Sequence, residues 1–194
     1  PNEANGSINF KYNTEVASAS YGQGMSVTAV QMLQALSSLG NGGITVKPFI
    51  VSKIVDNDGN IIVENKREEL NRVCSEETAN KLITLMRGVV NGDSKISTGT
   101  AYKVNGVDLI GKTGTAEIAG DGGYLKNSYV RSFAGLFPGK DPEIIVYAAS
   151  SKSKSSSYLK TAVKDLVKNV STYLNMTTTS TSDTSDYNVD SYIN

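Results

Sequence analysis

The chain of 194 residues contains no histidine. A Ser-His-Asp triad, a Cys-His pair and a histidine-built zinc site are therefore excluded within it. Acid–base chemistry near neutral pH falls to lysine, a carboxylate, or a tyrosine with a displaced pKa. Cysteine is almost as scarce. Cys74 stands alone, so no internal disulfide can form. One thiol does not separate a cytosolic protein from an exported bacterial one that avoids cysteine. Charge of either sign is not in excess, since 19 basic residues meet 19 acidic ones. A general electrostatic pull toward nucleic acid or anionic lipid is therefore not implied. No apolar run approaches the length of a membrane span, and no signal peptide opens the chain. Any export signal or anchor is expected upstream of Pro1. What is present is ordinary: 39% hydrophobic and 20% charged residues, enough apolar side chains for one domain core.

Apolar spacing predicts three helices and several strands. Pro1 to Ala19 is polar and reads as the irregular end of something that began earlier. Tyr21-Gly22-Gln23-Gly24 is a turn. A first helix follows, capped by Ser26 or Thr28, with Ala29, Met32, Leu33, Leu36 and Leu39 on its apolar face. Gly40-Asn41-Gly42-Gly43 stops it. Ile44 to Val55 is rich in β-branched residues, and Asp56-Asn57-Asp58-Gly59-Asn60 turns it onto Ile61-Ile62-Val63 as a hairpin. Ser75 caps a second helix, with Glu76 and Glu77 in its first turn and Ala79, Leu82, Ile83, Met86 and Val89 or Val90 inward.

After the loop Ser97-Thr98-Gly99-Thr100, strands are expected from Val107 to Ile118, from Tyr129 to Phe137 and over Ile144 to Tyr147. The last has an unbroken apolar run and is expected to be central or covered on both faces. A third helix carries Leu159, Ala162, Val163, Leu166, Val167, Val170 and Leu174 as its buried stripe. Lys160, Lys164 and Lys168 fall on another face and read as solvated. From Met176 the chain is rich in Thr, Ser and Asp, so 175–194 is expected to be a linker or tail.

The sharpest local feature is Lys112-Thr113-Gly114-Thr115-Ala116 inside the first long strand. Glycine within a strand indicates close approach of a ligand or another backbone. A lysine and two hydroxyls beside it can hold a carboxylate or a phosphate. Composition alone gives a Lys-Thr-Gly string in roughly one chain in twenty or thirty of this size, so the tripeptide by itself decides little.

It has company. Ala19-Ser20-Tyr21-Gly22-Gln23-Gly24, then Gln31-Met32-Leu33 and Asn41-Gly42-Gly43, precede it. Ser97-Thr98-Gly99-Thr100-Ala101 lies about a dozen residues before the motif. Ser132-Phe133-Ala134-Gly135-Leu136-Phe137-Pro138 and Asp141-Pro142-Glu143-Ile144 follow it. In this order and spacing, from about Pro1 to Leu174, the segments resemble the C-terminal part of the transpeptidase domain of class B (monofunctional) penicillin-binding proteins. The resemblance implies an α/β (α+β) fold of the penicillin-binding transpeptidase and serine β-lactamase-like type. That fold is a mainly antiparallel sheet with covering helices, present here only in part. Residues 1–174 would be the transpeptidase portion.

Such enzymes cross-link peptidoglycan. A serine attacks the carbonyl between the two D-alanines of a stem peptide, and the acyl group passes to an amine on a neighbouring stem. Three motifs serve this chemistry: Ser-x-x-Lys, Ser-x-Asn and Lys-Thr-Gly. Only the third maps here, so the nucleophile is expected in a missing N-terminal part of the same protein. By resemblance, Lys112 places positive charge beside the substrate carboxylate. Thr113 and Thr115 bond it, Gly114 lets the substrate lie along the strand, and the Thr115 N–H is one of two oxyanion donors. Gln23 is either a contact near the cleft or a turn-stabilising amide.

Ser151-Lys152-Ser153-Lys154, Ser157-Tyr158-Leu159-Lys160 and Ser7-Ile8-Asn9 spell the other two motifs in the wrong places and read as coincidences. The implied partners are D-Ala-D-Ala stem peptides and β-lactam antibiotics, with no nucleic acid, cofactor or metal. The implied location is the extracytoplasmic face of a bacterial membrane, with an anchor upstream. Two other readings stand beside this one: a penicillin-sensing or inactive wall-binding module on the same fold, and a serine β-lactamase. Without the nucleophile's helix, the isolated chain is expected to lack independent stability.

Overall fold

The structure is a computed structural model and describes residues 10–176. Its frame is a three-stranded antiparallel sheet in the order β5-β6-β7, formed by Ile110–Gly120, Gly123–Phe137 and Ile144–Ser150. Two helices precede the sheet and touch it, α2 (Ala29–Gly40) and α3 (Glu76–Asn91), and α4 (Ser157–Tyr173) follows it. A short helix α1 (Asn13–Ser20) opens the described part. Two small pairs lie between α2 and α3: β1 (Ile44–Val46) with β4 (Glu69–Arg72), and β2 (Lys53–Val55) with β3 (Ile61–Glu64).

Local chemistry sets the helix starts. Thr28 caps α2: its hydroxyl accepts from Gln31 N at 3.2 Å, and Gln31 Oε1 accepts from Thr28 N at 2.8 Å. These reciprocal bonds satisfy two otherwise orphaned donors. Ser75 caps α3 through Thr78 N at 3.1 Å. Glycine is required at the exit from α2. Gly43 has φ +92, and a Cβ there would stand 2.1 Å from the Cys74 carbonyl oxygen.

The sheet is buried on both faces by alternation of its side chains. On one face Phe133, Phe137 and Val146 pack with Leu109, Tyr102, Val163 and Val167, so α4 covers this side. Tyr102 stacks on Phe133 with ring centroids 4.1 Å apart. On the other face Ile110 and Leu136 pack with Met86, and Leu39, Ile83 and Ile145 close around them. That side belongs to α2 and α3.

Several sequence expectations change. α1 was read as irregular; it is helical without a buried residue, because Glu15 turns back to accept from the N–H groups of Lys11 and Tyr12. β4 was not expected; cross-strand pairing with β1 makes it extended. The run from Ile44 to Val55 splits into two strands in different sheets. β6 begins at Gly123 rather than Tyr129, so the expected loop over Ala119–Gly123 shrinks to a turn at Asp121-Gly122. β7 is covered on both faces but is an edge strand among the described residues. Leu82, Leu166 and Leu174, placed inward by spacing, are exposed, as is Ala162. Leu82, Ala162 and Leu166 sit on the flanks of their helices, and Leu174 follows the last residue of α4. The tail from residue 177 onward lies outside the described residues.

Candidate active site

The Lys-Thr-Gly run lies on β5, whose only sheet neighbour among the described residues is β6. Its other edge has no strand beside it among the described residues. An edge strand exposes backbone N–H and C=O groups that can accept an added extended chain. The pairing places Thr113 opposite Phe133, Gly114 opposite Ser132 and Thr115 opposite Arg131.

Register then sorts the side chains by face. Phe133 points to the α4 side, so Thr113 and Thr115 do as well, with Arg131. Lys112 and Gly114 point to the α2–α3 side with Ser132 and Ala134. The expected site residues are thus divided between the two faces, and a ligand lying along the strand's edge can meet both sets. Lys112 is exposed and its Nζ donates to the Thr113 carbonyl at 2.6 Å. A Cβ on Gly114 would stand 2.4 Å from Ser132 Oγ. That hydroxyl can turn away, so packing alone does not demand glycine there.

The preceding loop is tied to the motif. Thr98 Oγ1 and Thr113 Oγ1 share a hydrogen bond of 2.8 Å. Beside them is an open cavity of about 210 Å3. Thr98, Tyr102, Thr113, Gly114, Thr115, Arg131, Ser156 and Lys160 line it. Sequence reasoning missed Arg131. It also read Lys160 as solvated, whereas Lys160 is half-buried at this cavity while Lys164 and Lys168 are exposed. Only strand register and the packing of α4 reveal either residue.

Burial pushes the Tyr102 phenol above its ordinary pKa of 10.0, and the positive charge of Arg131 opposes that rise. Arg131 Nε donates to the Ser153 carbonyl at 3.4 Å, and its guanidinium lies 5.1 Å from the centre of the Tyr129 ring.

Gln23 is half-buried in its turn, where its N–H bonds the Ser18 carbonyl at 3.0 Å; it does not line the cavity. Of the misplaced motifs, Ser7-Ile8-Asn9 lies outside the described residues. Ser157 Oγ hydrogen-bonds Ser155 Oγ at 2.9 Å, and neither Ser151 nor Ser157 lines the cavity. Among the described residues no cluster of Cys, Asp and Glu could hold a metal ion.

The penicillin-binding protein transpeptidase domain model matches residues 1–171. The chain belongs to this family. Stage V sporulation protein D of Bacillus subtilis is 35% identical over 143 residues, covering 73% of this chain and 22% of that protein. Penicillin-binding protein PbpB of Mycolicibacterium smegmatis is 35% identical over 130 residues, covering 64% of this chain and 20% of the relative. The chain therefore spans about a fifth of the length of these curated relatives. Penicillin-binding protein 3 from Mycobacterium tuberculosis, solved with ampicillin, superposes with a TM-score of 0.81 at 25% identity. The match covers 97% of this chain and 44% of that chain. The likeness bears out the α+β penicillin-binding transpeptidase fold and the class B membership read from the sequence. No helix among the described residues is long and apolar enough to cross a membrane.

Proposed function

We propose that these residues are the Lys-Thr-Gly portion of a serine-type peptidoglycan D,D-transpeptidase. Its donor is a stem peptide ending in D-Ala-D-Ala, and β-lactams acylate it in the donor's place. The observation that carries the reading is the position of Lys112 to Thr115: on the unpaired edge of the sheet, beside an open cavity rich in hydroxyls. The donor adds to β5 as an extra strand. Lys112 offers charge from one face of the strand, and the Thr113 and Thr115 hydroxyls bond the donor's carboxylate from the other. The Thr115 N–H supplies one oxyanion donor, a group whose loss typically costs about 100- to 1000-fold in rate. Gln23 contacts the donor outside the cavity.

The nucleophile is assigned to another part of the same protein, as is the anchor that holds the domain at the extracytoplasmic face. Two facts support the first assignment. Lys112 Nζ bonds a backbone carbonyl rather than a serine hydroxyl. Ser157, in the misplaced Ser-x-x-Lys, is engaged with Ser155. Residues 175–194 are proposed as a linker.

Intact-mass measurement after incubation with benzylpenicillin tests the reading. The full-length protein should gain one stoichiometric adduct on a serine outside these residues, and the 194-residue chain should gain none. An adduct mapped to Ser151 or Ser157 would overturn the assignment of the nucleophile. No adduct on the full-length protein would overturn the enzyme.

A further inference from the structure

β5 carries the motif, yet among the described residues it has a single strand beside it, β6. Its second anchor is the last turn and a half of α3. Arg87 there holds Asp108, two residues before β5 begins, by two parallel bonds: Nη1 to Oδ1, and Nη2 to Oδ2 at 2.9 Å. One turn further along, Asn91 Nδ2 donates to the Leu109 carbonyl at 2.8 Å. The same stretch of helix also holds the loop ahead of the strand. The Val89 carbonyl accepts from the Gly99 N–H at 3.0 Å, and the Gly88 carbonyl accepts from Ser97 Oγ at 2.8 Å. Between Ser97 and Gly99 stands Thr98, whose hydroxyl meets that of Thr113. The motif is therefore bracketed, because α3 grips both the chain leading into it and the loop beside it. The ion pair is closely fitted. The Asp108 carbonyl accepts from the Gly139 N–H at 2.7 Å, and a Cβ on Gly139 would stand 2.8 Å from Arg87 Nη2.

The pair adds little to the stability of this seam. Met86, Ile110 and Leu136 already bury it. The paired side chains are 16% and 26% exposed, so the cost of desolvating them offsets much of their attraction. What a two-point pair contributes is direction, since a planar fork against a carboxylate fixes distance and orientation together. We propose that Arg87 and Asp108 are positioning residues for the acylation step. Their pair fixes where β5 starts along α3, and so fixes the place of the Lys112 ammonium and the Thr115 N–H on the strand's edge. Asp108 precedes Lys112 by four residues, at most about 14 Å of chain, so a shift at the pair is carried into the motif. Neither residue touches the substrate; both act through β5. This rests on the transpeptidase reading above. Misplacing a catalytic group by about 1 Å costs on the order of 100-fold in rate, which sets the size of effect within reach.

The test measures the maximal rate at which benzylpenicillin acylates the full-length protein, together with the final number of adducts per chain by intact mass. Arg87→Lys and Asp108→Glu keep both charges and alter only the geometry of the pair. Each should lower the rate roughly 10-fold while one adduct per chain is still reached. Loss of folded protein would instead lower the final adduct count and leave the rate of the remainder unaltered. The Arg87→Lys, Asp108→Glu double variant should be no slower than the poorer single variant, because the two side chains act as one unit. Gly139→Ala, which presses on the pair from the turn between β6 and β7, should slow acylation as well. Single-variant rates within about threefold of the unaltered protein, a fall confined to the adduct count, or losses that multiply in the double variant each overturn the inference and leave the transpeptidase reading intact. An unaltered protein that gains no adduct overturns that reading, and this inference with it.

Discussion

Two regions of the chain use apolar residues in opposite ways. From Ala79 onward lie all the buried hydrophobic side chains of the described core, among them Val90, Leu109, Ile110, Phe133, Leu136, Val163 and Val167. From Phe10 to Cys74 the only buried side chains are the hydroxyls of Ser37 and Ser38. The outer region is not poor in apolar residues. Ile50 is fully exposed, and Phe49, Val51, Ile54, Ile61 and Ile62 are exposed too. The sheet region is therefore held by burial, which scales with area removed from water. The outer region is held by backbone pairing, caps and side-chain hydrogen bonds that each contribute little net. The candidate site belongs to the first kind: β5 has one neighbour among the described residues, but that neighbour carries Phe133 and Leu136 into the core on its two faces.

Breaking the packed region should produce the largest effect. Phe133 is wholly buried and stacked on Tyr102 opposite Thr113. Phe133→Ala removes a ring from a close-packed interior, a change that costs about 3–5 kcal/mol. The melting temperature of the full-length protein should fall by several degrees, read by circular dichroism. Acylation by penicillin should fall with it, because Thr113 loses its support. A shift of less than about 3 °C would mean that the sheet is not where stability resides.

A second substitution probes the outer region from within. Gly43 receives the Val73 N–H at 2.8 Å on its carbonyl, and its φ of +92 suits glycine. Gly43→Ala forces a Cβ onto the Cys74 carbonyl and a disfavoured backbone region, at a cost of about 1–3 kcal/mol. Amide exchange should quicken at β1 and β4 and stay unchanged along β6. Equal loss of protection in both places would show one cooperative unit and erase the distinction.

How much was legible in the sequence follows the same division. α2 and α3 were legible because Thr28 and Ser75 are caps with measurable bonds, and their apolar residues recur at helical spacing. The approximate positions of the sheet strands were legible, Ile144 to Tyr147 from its unbroken apolar run and the other two from the glycine-containing loops and the Pro138-Gly139 turn that bound them. α1 was not, since Asn13 to Ser20 has no apolar stripe and its helix rests on the return of one carboxylate, Glu15. Glu69-Leu70-Asn71-Arg72 shows no strand alternation and is extended only because β1 lies beside it. At the site, Lys112 to Thr115 announce themselves as a motif. Arg131 and Lys160 join them only through register and helix docking, which are tertiary facts that one-dimensional spacing does not contain.

The smallest expected effect lies in the hairpin of β2 and β3, where every strand residue is exposed. Its turn is organised by Asp56. The carboxylate accepts from Asn60 Nδ2 at 2.9 Å, Asn60 N at 2.8 Å and Asp58 N at 3.0 Å. These bonds, the Asn60 amide first, hold its pKa below the ordinary 3.8. A carboxylate lowered on folding stabilises the folded form above its unfolded pKa, and that contribution disappears as pH falls through the folded value. The Asn60 and Asp58 amide signals should therefore be constant from neutral pH down to about 5 and should shift only below the ordinary carboxylate range. Signals along β6 should not move in that window, and global stability should barely change, since the hairpin buries nothing. Asp56→Asn should abolish the transition. If the amides instead titrate at or above 3.8, the charged form is not preferred in the turn. The turn would then be held by its backbone bonds between Asp56 and Asn60 and between Gly59 and Asp56.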